Sequence, residues 1–131
     1  MCYYIHMFTI DIANQADGNS GALRDFPEFI GAEGAIVILL FNGGTVGAAQ
    51  VVFGKYPLIK KLALSDGFGG EDIRRFFIRS LVLKLTGATG ECGWIYSAVS
   101  DPLFAEIGFL PSENGLRCRA DRVNFKKMCG E

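Results

Sequence analysis

A short glycine-rich segment is the first place in this sequence where the residue types could do chemistry. Gly67, Gly69 and Gly70 stand directly ahead of an apolar-periodic stretch that begins with Glu71 and Asp72. Glycines allow the backbone N–H groups at a helix N-terminus to approach a phosphate closely, and the helix dipole favours negative charge there. The same glycines also suit a tight strand-to-helix turn that needs positive φ angles. The segment therefore predicts either a phosphate-binding turn or a purely structural one.

Few other side chains offer reactive groups. Tyr96 is either a proton donor or an ordinary core or sheet-surface tyrosine. His6, the only histidine, is either a general base or a packed or surface residue. Cys92 is either a nucleophile, which would need a base partner, or a small buried hydrophobe. The last predicted strand has a basic face that is either solvated or binds an acidic partner, and its arginines are Arg117, Arg119 and Arg122.

Composition excludes several classes of protein. The chain has 131 residues and a formal net charge of −1, which excludes a globally basic nucleic-acid binder and an acidic tail. Half of the residues are hydrophobic, which argues against disorder. The four cysteines form no Cys-x-x-Cys pair, so we expect no zinc site. The N-terminal residues show no basic stretch followed by an apolar one, so we expect no secretory signal and a cytoplasmic protein with free thiols.

An uncharged segment at 34–54 is long enough to raise the question of a membrane span. Asn42, Gly43 and Gly44 lie at its middle, between two runs rich in β-branched residues. An Asn-Gly pair between such runs is a strong signal for a β-hairpin. The segment therefore predicts two buried strands and not a membrane helix.

The strands that would position the candidate groups follow from the apolar pattern and the turn residues. They are predicted at 2–13, 35–41, 45–53, 58–65, 92–99 and 116–128. Their order, with a helical crossover late in the chain, predicts an α+β protein built on a mostly antiparallel sheet. The length predicts a single domain spanning residues 1–131.

The helices are placed by their caps and their apolar faces. A long helix is predicted from Glu71 to about Thr86, with Gly87 and Gly90 as stop signals. A short helix is predicted at 101–107, where Asp101 is the N-cap, Pro102 the first helical residue and Gly108 the left-handed terminator. The loop-like segment 14–34 has room for one further short helix near 22–30.

Three segments, taken in order, resemble the GNAT superfamily of N-acetyltransferases, which transfer acetyl from acetyl-CoA to amines. The segment 42–47 is similar to the family's second hairpin, and 62–66 with the following turn and helix is similar to its fourth strand and CoA-binding turn. The segment 101–109, which ends in Ile-Gly-Phe, resembles its late helix. The resemblance runs from about 35 to 109. It implies a GNAT-like mixed, mostly antiparallel sheet with one long helix after strand four and a short late helix.

The resemblance also implies a site for acetyl-CoA. Main-chain groups of Leu62, Ala63 and Leu64 would bind the pantetheine arm and the thioester carbonyl, and Phe104 would line the site from the late helix. The turn and first helical residues would hold the pyrophosphate, and they are Phe68, Gly69, Gly70, Glu71, Asp72, Ile73 and Arg74. The arginines of the last strand would be candidates for the 3′-phosphate of CoA.

The phosphate turn departs from the family pattern of Gln or Arg, two residues, Gly, one residue, then Gly or Ala. An ungapped alignment puts those positions on Gly69, Asp72 and Arg74. Asp72 would then place a negative charge beside the phosphates, and Arg74 and Arg75 would compensate only by pointing back toward the turn. A shifted register, in which the glycines of the turn supply the close-approach positions, is the alternative.

The catalytic positions depart as well. Many family members use a tyrosine on the late helix as general acid, and the matching residue here is Phe104, which has no proton to give. Tyr96 is the candidate replacement. The fourth strand carries Lys60 and Lys61 but no carboxylate ahead of Asp66 to act as a base. Positioning an amine against a thioester can supply much of the rate, so these departures weaken the enzyme interpretation without excluding it.

Three functions follow from these observations. The leading one is an acetyl-CoA-dependent N-acetyltransferase acting on an amine of a small molecule or peptide, with acetyl-CoA as co-substrate and no metal. The alternative is a catalytically degenerate domain of the same fold that serves as a binding or dimerisation module. The third is a ligand-binding α+β domain unrelated to the family. We expect no nucleic-acid partner and no membrane association, and strand edges of such sheets suit a homodimer.

Overall fold

A mixed sheet is the framework of the computed structural model, which describes residues 8–12, 21–90, 93–113 and 115–123. Seven strands are ordered β1-β2-β3-β4-β5-β7-β6, and all neighbours are antiparallel except β4 and β5. The strands are β1 Phe8–Ile12, β2 Ala35–Phe41, β3 Gly44–Phe53, β4 Pro57–Leu64, β5 Trp94–Ser97, β6 Leu110–Ser112 and β7 Gly115–Arg119. The helices are α1 Glu71–Thr89 and α2 Pro102–Glu106. The α+β class, the long helix after β4 and the short late helix are confirmed.

The hairpin of β2 and β3 is confirmed in position and in turn chemistry. Asn42 and Gly43 both have positive φ, at 51° and 84°, which is the backbone that an Asn-Gly hairpin turn requires. Val37, Leu39, Ala48 and the rest of the two strand centres are buried. Within the described ranges, no helix is long and apolar enough to cross a membrane.

Two apolar clusters cover the two faces of the sheet. On one face, α1 and α2 pack against strand residues that include Val51, Ile59 and Ile95. On the other face, two short 3-10 turns, Gly21–Leu23 and Pro27–Phe29, cover only the part formed by β2 and β3. Among the described residues, the apolar cluster on this face does not extend to β5 and β7.

Several boundaries differ from the predicted ones. The helix near 22–30 is replaced by the two 3-10 turns, and α1 continues past Gly87 to Thr89 before Gly90 ends it with a φ of 80°. A glycine in an exposed helix interior costs only about 1 kcal/mol relative to alanine. The packing of Leu85 and its neighbours on the same helix exceeds that cost, so Gly87 does not act as a stop signal.

The C-terminal strands also differ from the prediction. β5 is shorter than 92–99, and the predicted strand 116–128 is interrupted after Arg119 by a 3-10 turn at Ala120–Arg122. β6 was not predicted, because three residues with a proline at the centre show no strand pattern of their own. β6 exists because it pairs with β7 at the edge of the sheet. The remainder of the predicted strand 2–13 lies outside the described residues.

Candidate functional site

The parallel strands β4 and β5 part from each other at the centre of the sheet. Their register ends with Ile59 opposite Ser97, and the last bond across them runs from the Ala98 N–H to the Ile59 carbonyl at 2.9 Å. A bulge at Lys60 bends β4 at this point, since Gln50 pairs with Lys61 and Val51 pairs with Ile59. From 60 to 64, the edge of β4 that faces away from β3 therefore has no described strand partner. We call this opening the splay.

The residues predicted to bind the pantetheine arm line the β4 side of the splay. Leu62 and Leu64 are half-buried and pack toward α1, whereas Ala63 packs toward the opposite face. Gly47 of β3 makes room for Leu64, because a Cβ at Gly47 would lie 2.6 Å from the Leu64 Cδ2. With the side chains held on both faces, the unpaired backbone groups of this strand point into the splay, where they can bind an amide-containing chain.

The turn between β4 and α1 contains one glycine that the backbone conformation requires and two that it does not require. Gly67 has a φ of 86° and lies inside a turn closed by the Phe68 N–H and the Ser65 carbonyl at 2.9 Å, so its glycine is structural. Gly69 and Gly70 have no such φ, and a Cβ on either would meet no atom within 4 Å. Neither backbone conformation nor packing requires glycine at these two positions. A ligand that approaches the backbone closely would require it, which fits a phosphate group.

The α1 N-terminus begins at this turn without a side-chain cap. Gly70 is the N-cap residue, and the first backbone bond of the helix runs from the Arg74 N–H to the Gly70 carbonyl. The amides of the first turn, at Glu71, Asp72 and Ile73, therefore precede the first helical hydrogen bond and carry the positive end of the helix dipole. The predicted phosphate residues thus meet at one helix end, next to the open end of the splay.

Arg74 folds back over the turn. Its Nη1 donates to the Gly69 carbonyl at 3.3 Å, and its Nε lies 3.0 Å from the Asp101 Oδ2. The Nε is buried and makes no aligned hydrogen bond within the described part of the chain. The guanidinium is thus held at the mouth of the splay as the ion-pair partner of Asp101, and only its exposed part is available to another anion. Arg74 therefore points back toward the turn, as it must if it is to compensate for Asp72, whereas Arg75 does not.

Arg75 and Asp72 belong to a different cluster. The Arg75 guanidinium makes two bonds of 2.9 Å to the Glu106 carboxylate of α2, and it also approaches Glu71 and Asp72 at 3.4 and 3.3 Å. Hydrogen bonding from Arg75 holds the pKa of Glu106 below its usual value. Asp72 is therefore turned toward Arg75. Its carboxylate is partly neutralised there, which lessens the repulsion that the ungapped alignment implied.

One predicted site residue, Phe104, lies deeper in the fold, next to the start of α2. Phe104 is fully buried and packs edge-on against Phe109, with 5.0 Å between ring centroids. Asp101 caps α2 as predicted, because its Oδ1 accepts from the Leu103 N–H at 3.0 Å, and Gly108 has the predicted positive φ of 110°. Phe104 therefore belongs to the core cluster, and any contact it makes with a ligand is limited by that enclosure.

Tyr96 lies in a pocket at the narrow end of the splay. This apex pocket has a volume of about 670 Å³ and is lined by residues that include Lys60, Tyr96, Ala98, Glu113, Leu116 and Arg117. Tyr96 is half-buried and stacks on Tyr56, with 6.2 Å between ring centroids. The pocket adjoins the last bond between β4 and β5, and Tyr96 forms part of its wall.

A second pocket had no signal in the sequence. The phenyl pocket, about 430 Å³, lies between β1, β2 and the first turn of α1 and is lined by Phe8, Phe41, Phe68 and Ile73, among others. The three rings contact one another, with centroid distances from 4.8 to 6.3 Å. Phe68 thus contributes to this apolar pocket. The rings come from three distant segments, so only the tertiary structure shows the pocket.

The other candidates divide as follows. His6 and Cys92 lie outside the described residues. Arg119 pairs with Asp121 at 3.0 Å, and Arg122 lies in the 3-10 turn and not on a strand, so the basic face is reduced to Arg117 and Arg119. Burial raises the pKa of the Cys118 thiol. In the ranges that the structure describes, no cluster of His, Cys, Asp and Glu is arranged to hold a metal ion.

Comparison with known proteins places the fold. No protein-family model and no curated protein matches the sequence. Among solved structures, AtaTR bound with acetyl-CoA is similar over 88% of this chain and 94% of that chain, with a TM-score of 0.65 and 12% identity. A GNAT family acetyltransferase from Elizabethkingia anophelis with acetyl-CoA bound covers 82% of this chain and 78% of its own, with a TM-score of 0.62 and 13% identity.

A third similar structure is the ribosomal-protein-S18-alanine N-acetyltransferase from Escherichia coli, with a TM-score of 0.59 and 16% identity over 82% of this chain and 80% of that chain. At such low sequence identity, the structural similarity establishes the arrangement of strands and helices and nothing about the ligand. The mostly antiparallel sheet, the long helix after β4 and the short late helix agree with that arrangement. The chain therefore has the fold of the GNAT acetyltransferases.

Proposed function

We propose that this protein is an acetyl-CoA-dependent N-acetyltransferase whose acceptor is an amine of a small molecule or peptide. The observation that carries the proposal is the α1 N-terminus beside the splay, where Gly70 caps the helix without a side-chain bond, open space surrounds Gly69, and Arg74 folds back over the turn. The similar structures with acetyl-CoA bound support the same reading.

Different residues would bind the pyrophosphate, the pantetheine arm and the thioester of acetyl-CoA. The pyrophosphate would meet the amides of the first turn of α1 and the Arg74 guanidinium, where the helix dipole and a fixed cation both favour negative charge. The pantetheine arm would bond to the unpaired backbone of Leu62, Ala63 and Leu64. The thioester, which supplies an activated acetyl group, would then reach the apex pocket beside Tyr96.

Acetyl transfer needs one bond made and one broken. The amine nitrogen bonds to the carbonyl carbon, the carbon–sulfur bond breaks, and the thiolate takes up a proton while the new amide loses one. Tyr96 is the only described tyrosine on the apex pocket, so we assign it the proton for the thiolate. No carboxylate lies on β4, and the amine therefore depends on orientation for much of its rate.

The test is release of CoA thiol from acetyl-CoA by the full-length protein in the presence of an amine pool, with product amides identified by mass. We expect amine-dependent release above the protein-free rate. Protein that neither binds acetyl-CoA at millimolar concentration nor releases thiol would contradict the proposal.

A degenerate binding module is the second candidate function. The presence of phenylalanine at 104, which has no proton to give, and the absence of a carboxylate from β4 favour it, because neither position offers a group that moves protons. Acetyl-CoA bound in the splay without transfer to any amine would support this module and exclude the enzyme.

A further inference from the structure

The apex pocket differs from the rest of the sheet surface in its charge. It opens on the face that the 3-10 turns leave uncovered, and Leu58, Tyr96 and Arg117 form one row across β4, β5 and β7. Neighbouring strands are about 4.8 Å apart. The Arg117 guanidinium itself lies over Trp94, two residues along β5 from Tyr96 and away from the splay, so a ligand held there needs a chain of several bonds to reach the end of the splay.

Arg117 is a cation without a counter-charge. Its guanidinium lies over the Trp94 ring, 4.5 Å from the centroid, and no carboxylate pairs with it within the described residues. This cation–π contact holds the guanidinium beside the ring, and its N–H donors make no hydrogen bond within the described residues. Such a fixed, planar donor set matches a carboxylate or a phosphate.

The other cation of the pocket is already paired. Lys60 lies 3.3 Å from Glu33, which the Gln50 side chain holds close to the sheet through a bond of 3.0 Å to the Glu33 carbonyl. Glu113, at the turn between β6 and β7, adds one carboxylate to the wall. One unpaired cation and one carboxylate are complementary to a ligand that carries both a negative and a positive charge. A polycation would find only one carboxylate in this pocket.

We propose that the acceptor is a primary amine that also carries a carboxylate or a phosphate, with the anion held by Arg117 and the amine directed to the end of the splay. This inference rests on the proposed function for the fate of the amine. The anion site itself stands on the geometry of Arg117, and it can be tested without acetyl transfer.

The first experiment uses Trp94, the only tryptophan of the chain, as a reporter beside Arg117. L-Alanine is compared with L-alaninamide, and O-phosphoethanolamine with ethanolamine, in titrations of the intrinsic fluorescence. We expect saturable changes with at least one anion-bearing amine and none with its partner that lacks the anion, which we call the neutral partner for its uncharged amide or hydroxyl group. The stronger of the two anionic probes identifies the carboxylate or the phosphate as the recognised group.

Two variants control this titration. Arg117→Gln should abolish the response, whereas Lys84→Gln, which removes an exposed cation on α1, should retain it. Equal responses to the charged and neutral partners, no response to any probe, or the same loss in both variants would overturn the inference.

The second experiment measures kcat/KM for acetylation of the same pairs and of putrescine. We expect each recognised anionic amine to exceed its neutral partner at least tenfold, and the ratio to fall below threefold in Arg117→Gln. A preference for putrescine or for the neutral amines would overturn the inference while leaving the proposed function intact. Failure to bind acetyl-CoA would overturn the proposed function alone, since the fluorescence titration reports on the anion site independently.

Discussion

Arg74 Nε lies 3.0 Å from Asp101 Oδ2, and this ion pair ties the first turn of α1 to the residue that caps α2. Because α1 follows β4 and α2 follows β5, the pair spans the open end of the splay. Asp101 is the more enclosed partner, with 14% of its side chain exposed against 32% for Arg74. A ligand phosphate at the helix end would therefore compete with Asp101 for the guanidinium.

The first prediction concerns this competition. Arg74→Ala should weaken acetyl-CoA binding about 10- to 100-fold, because a charge-assisted hydrogen bond contributes about 1.5–3 kcal/mol. Isothermal calorimetry on the full-length protein measures the change. Lys84→Ala, which removes an exposed cation near the other end of the same helix, is the matched control and should leave the affinity unchanged.

Asp101→Asn should have the opposite effect on acetyl-CoA binding, because it removes the competing carboxylate. Asparagine caps a helix as well as aspartate does, so α2 should persist while Arg74 loses its counter-charge. We expect tighter binding of acetyl-CoA in this variant. Unchanged or tighter binding in Arg74→Ala would contradict the assignment, since Arg74 would then obstruct the splay instead of holding a phosphate.

The second prediction separates the glycines of the turn. Gly69→Val should weaken acetyl-CoA binding at least tenfold with little effect on stability, because its Cβ meets no protein atom but would occupy the space of a phosphate. Gly67→Ala should lower the free energy of unfolding by about 1 kcal/mol, because its φ of 86° is unfavourable for other residues. Urea unfolding and calorimetry on both variants measure the two effects, and an unchanged affinity in Gly69→Val would refute the phosphate role.

The third prediction concerns Tyr96. Tyr96→Phe should reduce kcat about a hundredfold, the typical contribution of a positioned general acid, without changing the affinity for acetyl-CoA. Tyr56→Phe is the matched control, because its ring stacks on that of Tyr96 but does not line the apex pocket. Equal rates in the wild type and in Tyr96→Phe would remove Tyr96 from the proton transfer.

The fourth prediction concerns stability. Glu106→Gln should lower the free energy of unfolding by about 2 kcal/mol, because it loses charge-assisted bonds to Arg75 and leaves the buried Arg79, whose Nε and Nη1 already lack partners, without a counter-charge. Chemical denaturation at neutral pH measures the loss.

The pH dependence of that stability has a fixed sign. The pKa of Glu106 is lowered in the folded protein, mainly by the hydrogen bond from Arg75. Its contribution is therefore fully present above the unfolded-state pKa and is lost as the pH falls through the folded-state pKa. The difference in unfolding free energy between the wild type and Glu106→Gln should begin to shrink as the pH falls below about 4.5, the ordinary pKa of the carboxyl. A constant difference down to pH 2 would contradict this account.

Features that depend on neighbouring residues were predictable from the sequence. The Asn42-Gly43 turn and the Asp101-Pro102 helix start each follow from local backbone preferences, and both are confirmed. The order of these local signals along the chain was enough to predict the fold class. β6 was missed because its strand character comes from pairing with β7 and not from its own residues.

Features that depend on distant contacts were not predictable. The direction of the Arg74 side chain follows from Asp101, 27 positions later, and the sequence left it open. The free backbone edge of β4 follows from the bulge at Lys60 and the short register with β5, neither of which has a residue pattern. The unpaired charge of Arg117 likewise depends on where the acidic residues fall in space.

The central claim is that acetyl-CoA lies in the splay, and amide chemical shifts of the ¹⁵N-labelled protein during titration with acetyl-CoA test it most directly. We predict saturable shifts for the amides of 61–64 on β4 and of 69–73 at the turn and the first turn of α1. The first-turn residues 70–73 also line the phenyl pocket, so the amides of 61–64 decide between the two sites, and shifts at Phe8, Phe41 and 70–73 without shifts at 61–64 would place the ligand in the phenyl pocket instead. Either that result or the absence of any saturable shift would contradict the claim.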